Sequence, residues 1–202
     1  TFDCECAFRI GVEWTYATGD EDPDDGDLES FTPPFPFGHF YQGYLDIFSP
    51  RETRDFYHCI EWAGTQPWSN GKVGLNGISY YAINQWHVAA LQPPHLAAMV
   101  PWEGAADAYR EWYRHGGILS NRFMEVWYPR QVEAVQHGNP KGPWDHWMNE
   151  PSIGPKELSE AELPANRCDN LANARAREMD DDWYRGRSPD WSRVTVPFLS
   201  PA

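Results

Sequence analysis

Apolar residues along this chain change their period from one stretch to the next, and the ordered part of the pattern begins at Ser49. Phe56, Tyr57, Cys59, Ile60 and Ala63 recur at helical spacing behind Ser49-Pro50-Arg51-Glu52, a capping serine with proline at the first helical position and glutamate three residues on. The spacing predicts an amphipathic helix over residues 50–64. A turn at 66–71 (QPWSNG) leads to Val73-Gly74-Leu75, a short buried strand that runs into Asn76-Gly77-Ile78-Ser79. A second helix over residues 80–91 is closed by Pro93-Pro94, and residues 96–102 (LAAMVPW) read as the next buried strand. Helix, strand, tight turn, helix and strand in that order predict an α/β fold, a parallel sheet flanked by helices.

The flanks read differently. Residues 8–16 suggest a short strand, and three prolines crowd residues 32–38. Residues 105–115 and 118–137 look helical and aromatic, 138–164 is broken by Pro140, Pro143, Pro151, Pro155 and Pro164, and 166–185 is polar and helical. No second sheet is predicted there. Residues 191–199 (WSRVTVPFL) then form a β-branched strand with its proline near the end, returning the chain to the sheet. An excursion that leaves a parallel sheet after one strand and returns for the next is an insertion, and a helical one at the carboxyl edge caps a ligand crevice. The expected organisation is an N-terminal segment (1–40), a core (41–106 and 189–202) and a helical cap (107–188), without internal repeats.

Composition narrows the partners. Aromatics make up 15% of the 202 residues, which excludes a disordered chain. With 30 Asp+Glu against 16 Lys+Arg, the formal charge of -14 repels nucleic acid and anionic membranes, so a small-molecule ligand is expected, with a homo-oligomer left open. The absence of a long apolar run and of a basic, apolar leader suggests a cytoplasmic protein, secretion after processing not being excluded. Asp20-x-Asp22-x-Asp24 imitates the start of a calcium loop, but Gly26 falls one place late and the twelfth position is Phe31, so a solvated acidic loop is the better reading and no metal is expected. Cys4, Cys6, Cys59 and Cys168 lack a paired CxxC pattern and support neither a zinc site nor a disulfide framework.

The chemistry concentrates at Gly77-Ile78-Ser79-Tyr80-Tyr81-Ala82. A serine between strand and helix, with glycine two places before it, fits a nucleophile elbow. The glycine lets the two backbones pass closely, Ser79 Oγ projects from the turn, and the Tyr80 backbone N–H at the helix start can donate to an oxyanion. The plainer alternative is that Ser79 is only a helix cap.

GISYYAINQW at 77–86, PWEGAADAYR at 101–110, HGGILSN at 115–121 and SEAELPANRCD at 159–169 together resemble the cocaine-esterase and X-prolyl dipeptidyl-peptidase-like family of α/β-hydrolases, over roughly residues 41–199. The family's G-x-S-Y-x-G appears as Gly77, Ser79 and Tyr80, with Ala82 in place of the last glycine. The resemblance implies that Ser79 is the acylating nucleophile of an ester- or amide-cleaving enzyme, without cofactor, and that residues from about 107 to 187 shape an acyl pocket.

In such hydrolases the acid and then the histidine follow the serine on later strands, and neither can be assigned in this sequence. Nor is there the Pro-Tyr pair that supplies the family's oxyanion tyrosine. His87 lies eight residues along the helix from Ser79, ~12 Å by helical rise, too far to take its proton. Trp102, Glu103, Asp107 and His115 remain as pocket candidates; among the aromatics Trp86, Trp102, Trp112, Tyr113, Trp127 and Tyr128, Trp102 is favoured as the one at a strand end. Two other readings stay open: a catalytically incomplete hydrolase-like binding protein or portion of a longer enzyme, and an acidic, aromatic-rich carbohydrate binder.

Overall fold

The computed structural model describes residues 45–145, 149–151 and 158–201. The chain divides into two units, Thr1–Pro36 and Phe37–Ala202, and every described residue belongs to the second. The predicted strand at 8–16, the acidic loop, the proline cluster at 32–38 and the Cys4/Cys6 pair lie outside the described residues.

The expected alternation is present. Helix α1 (Pro50–Thr65) starts at Ser49, whose Oγ accepts from Glu52 N–H at 3.2 Å. Strand β1 (Val73–Ile78) is longer than the sequence suggested, and α2 (Tyr80–Ala89) follows Ser79 directly. Strand β2 (Leu96–Trp102) pairs with β1 in parallel, from Val73 opposite Leu96 to Ile78 opposite Trp102. The helix between them makes the crossover that parallel strands require. On the α2 side of the sheet, Trp86, Ala89 and Met99 form a small core against Leu75, Leu96, Val194 and Val196.

The predicted strand at 191–199 is not a full strand. Asp190 Oδ1 accepts from Ser192 N–H at 3.1 Å and closes a 3-10 turn at Trp191–Arg193. Beyond it the chain pairs with β2 through a single bridge between Phe198 and Met99, in parallel. Pro197 has no N–H to extend that ladder; its carbonyl accepts from Met99, and Leu199 N–H donates to the Met99 carbonyl, both at 3.1 Å. The chain does return to the edge of β2, by one rung.

Residues 105–185 depart further from the predicted helices. A π-helical turn (Ala108–Tyr113) capped by Asp107 is followed by a hairpin of β3 (Arg114–His115) and β4 (Ile118–Leu119), which turns at Gly116-Gly117. Helix α3 (Asn121–Tyr128) widens at Pro129 into a second π turn (Pro129–Glu133), closed by Ala134 N–H on the Pro129 carbonyl. A further two-strand ladder joins β5 (Trp144–Asp145) to β6 (Glu150–Pro151), so small antiparallel ladders exist where no second sheet was expected. The single helix expected over 166–185 is broken. After α4 (Glu162–Ala165), Asp169 caps α5 (Asn170–Ala176) and Asp181 caps α6 (Asp182–Arg185), each side chain accepting a backbone N–H that starts a new helix.

These short elements enclose the larger core. Ile47 and Phe48 pack with Tyr80 and Ile83 of α2 and with Trp112, Tyr113, Met124, Tyr128 and Tyr184. No helix among the described residues is long and apolar enough to cross a membrane.

Candidate active site

Ser79 sits where β1 ends and α2 begins, at φ 57° and ψ -116°. That is a strained backbone for any residue but glycine, and such strain persists only where the surroundings impose it. They do so from both sides. Ser79 N–H donates to the Trp102 carbonyl at the end of β2 (2.9 Å), while the Ser79 carbonyl accepts from Ala82 and Ile83 and starts the helix.

Gly77 makes the turn sterically feasible: a Cβ there would stand 2.5 Å from Tyr81 Cβ. Ala82 is fully buried, and a Cβ on Gly104 of the following loop would come within 2.6 Å of its methyl, so this position accepts only a small residue.

The cap reading of Ser79 does not describe its side chain, which makes no capping hydrogen bond. The residue is exposed, and Ser79 Oγ has no partner among the described residues. Tyr80 is the first residue of α2, which puts its peptide N–H at the helix start beside Ser79.

Of the other candidates, Trp102 and Glu103 reach the same edge of the sheet. Glu103 is exposed and has a positive φ of 45°. Trp102 Nε1 donates to Asn76 Oδ1 at 2.6 Å, which aligns the indole with the Asn76 face of the sheet, opposite the face on which Leu75 meets α2. Asp107 and His115 are occupied elsewhere: Asp107 caps the π turn and pairs with Arg110 at 2.7 Å, and His115 Nε2 is 2.8 Å from the Glu111 carbonyl. Buried His87 has its imidazole pushed down to about 4 by burial, which keeps it neutral.

Tyr80, next to Ser79, joins an aromatic cluster in the larger core. Tyr80 stacks on Phe48 at 4.2 Å and on Trp127 at 6.2 Å, and Trp127 meets Trp112 edge-on at 5.4 Å. Trp86 lies in the small core under the sheet, and Tyr113 and Tyr128 are core residues. Phe48, Ile83, His87, Asp107, Trp112 and Arg187 line a small recess elsewhere in the fold, to which Ser79 does not contribute.

One residue that motif reading treated only as a helix cap lies at the centre of this arrangement. Glu52 Oε1 accepts from Tyr80 Oη at 2.6 Å and from Asn84 Nδ2 at 3.4 Å, and Oε2 accepts from Phe48 N–H at 2.6 Å. Burial pushes its carboxyl up to about 7 against the pull of those donors, and burial followed by the Glu52 charge raises the Tyr80 phenol well above its ordinary value.

Residues 39–201 match the X-Pro dipeptidyl-peptidase (S15 family) domain. The chain belongs to this family. A 74-residue stretch is 38% identical to the cocaine esterase of Rhodococcus sp. (strain MB1 Bresler), covering 36% of this chain and 13% of that enzyme. Two crystal structures of a CocE/NonD family hydrolase from Staphylococcus aureus share 35% and 37% identity with TM-scores of 0.58 and 0.59, each covering 77% of this chain and 23% of that one. The S15 chain therefore spans less than a quarter of the length of these relatives. The family resemblance read from the motifs is the correct one, and it makes the protein a relative of hydrolases of the esterase and peptidase type.

Proposed function

We propose that this chain carries the nucleophile of a serine hydrolase that cleaves a small ester or amide, and that its β1–α2–β2 unit is part of an α/β-hydrolase sheet with residues 107–188 as its cap. The observation that carries the reading is Ser79 itself: a non-glycine residue held at φ 57° between a parallel strand and a helix, exposed, with an unoccupied Oγ among the described residues.

In this mechanism Ser79 Oγ gives its proton to a general base that the described residues do not supply and attacks the substrate carbonyl; the C–O or C–N bond then breaks, and the alcohol or amine departs with that proton. The Tyr80 N–H, at the positive end of α2, donates to the oxyanion, and water then releases the acyl group. Exposed Trp102 and Glu103, at the end of β2 whose Trp102 carbonyl accepts from Ser79 N–H, are the side chains placed to border the acyl group.

A fluorophosphonate probe should label Ser79 in the full-length protein, with Ser79→Ala lowering p-nitrophenyl ester turnover by more than about a thousandfold. Labelling of a different residue, or turnover kept in the alanine variant, excludes Ser79 as nucleophile. Absence of both labelling and turnover favours the non-catalytic binding protein.

A further inference from the structure

Beneath the Ser79 turn stands a carboxylate that acyl transfer does not itself require. Glu52 lies in the first turn of α1, partly buried. In a capping box its side chain would return to the backbone N–H of the capping serine. Here Ser49 N–H donates instead to the Asp46 carbonyl at 3.3 Å, and the Glu52 carboxylate reaches across to α2. Its three partners, Tyr80 Oη, Asn84 Nδ2 and Phe48 N–H, are all donors, and no cation pairs with it among the described residues.

Two strained positions meet through this group. Phe48 has a φ of 52° while only 3% exposed, and Ser79 has a φ of 57° one residue before Tyr80. The Tyr80 ring is stacked on Phe48 and Trp127, and its hydroxyl is held by Glu52. Both ends of the side chain are thereby anchored, one peptide bond from Ser79.

We infer that Glu52 is a positioning residue for the Ser79 turn: by holding Tyr80 Oη it orients the Ser79–Tyr80 peptide, and with it the nucleophile and the oxyanion donor. The inference rests on the serine-hydrolase reading.

All three partners donate, so the ionised carboxylate is the form that satisfies them, and a proton on Glu52 removes the acceptor for one. The groups that face it are Tyr80 and Asn84 from α2, and Phe48 N–H and Asp46 from the preceding turn. Asp46 is itself tied to Arg187 and Asn170. With the carboxyl pushed up to about 7 by burial, the ionised form is lost just below neutral pH.

The test compares the full-length wild type with Glu52→Gln, Tyr80→Phe and the double variant. The readouts are the rate of Ser79 labelling by a fluorophosphonate, and kcat and KM for a p-nitrophenyl ester across about pH 6 to 9. Each single variant should lose about tenfold in kcat with KM within about twofold of wild type, and the double variant should be no slower than either. The acid side of the kcat profile should lose its Glu52 component in Glu52→Gln.

Undiminished kcat in either folded variant, or losses that add in the double, overturns the inference. If Glu52→Gln loses its near-ultraviolet dichroism, Tyr80→Phe decides, because it removes one hydroxyl and no packing. No labelling of wild-type Ser79 overturns the serine-hydrolase reading and this inference with it; labelled wild type with unaffected variants overturns the inference alone.

Discussion

At Ser79 the backbone conformation and the side chain make opposed demands. A φ of 57° with ψ of -116° suits glycine, yet the position holds a residue with a hydroxyl. Strain of this kind costs of order 1–3 kcal/mol, and the Trp102 carbonyl on one side and α2 on the other sustain it. Ser79→Gly should therefore stabilise the protein by about 1 kcal/mol relative to Ser79→Ala, since both remove the hydroxyl and only glycine releases the strain. Urea denaturation of the two variants measures the difference, and equal midpoints would show that the turn stores none. Two residues earlier the pressure is reversed. Gly77→Ala places a methyl 2.5 Å from Tyr81 Cβ and should destabilise the fold by roughly 1–3 kcal/mol while slowing Ser79 labelling. Gly77 and Ser79 were legible in the sequence because both are local geometry, written within three residues. Glu52 was legible only as a cap, because its partners stand 28 and 32 residues away and no spacing rule connects them.

At the scale of elements, α1, β1, α2 and β2 could be read from periodicity because each buries a face against a neighbour adjacent in sequence. The segment from Ala108 to Arg185 could not. Its aromatics repeat at helical spacing, but Gly116-Gly117, Pro129 and the capping residues Asp169 and Asp181 break that spacing into short turns packed on a shared core. The contact between α1 and α2 adds a pH dependence that neither helix has alone. Glu52 is raised from an ordinary 4.5 to about 7, so the folded state binds its proton more tightly than the unfolded chain does. Its favourable contribution is present below about pH 4.5 and is lost as the pH rises through 7. The stability of the wild type relative to Glu52→Gln should fall across that window by up to about 3 kcal/mol. Parallel curves for the two proteins between those pH values would remove Glu52 from the balance. The ionised form that holds Tyr80 is thus the less stable one.

Across the molecule, the segment just before α1 is tied to residues more than a hundred positions later, and the Ser79 turn rests on that tie. Leu45 donates to the Asn166 carbonyl and accepts from Cys168 N–H, at 2.9 and 2.7 Å. Asp46 accepts from Arg187 Nη2 at 2.5 Å and from Asn170 Nδ2 at 3.1 Å, and the Arg187 guanidinium lies 4.1 Å from the centre of the Trp183 ring. Arg187 is 6% exposed, so its charge is compensated chiefly by Asp46. Two residues beyond Asp46, Phe48 supplies both the ring under Tyr80 and an N–H to Glu52. Asp46→Ala leaves a buried guanidinium without its carboxylate, a change that typically destabilises by about 3–5 kcal/mol, whereas replacing both partners with apolar residues of similar volume can be neutral. Asp46→Ala should accordingly lower the urea midpoint sharply, and Asp46→Leu with Arg187→Met should recover most of the loss. A cost below about 1 kcal/mol for Asp46→Ala would mean that the hydrogen bonds of Leu45 and the apolar core hold the two segments together without the ion pair. If the double variant recovers stability but not the rate of Ser79 labelling, the pair sets the position of Phe48, and through it the geometry of the turn, beyond its contribution to folding.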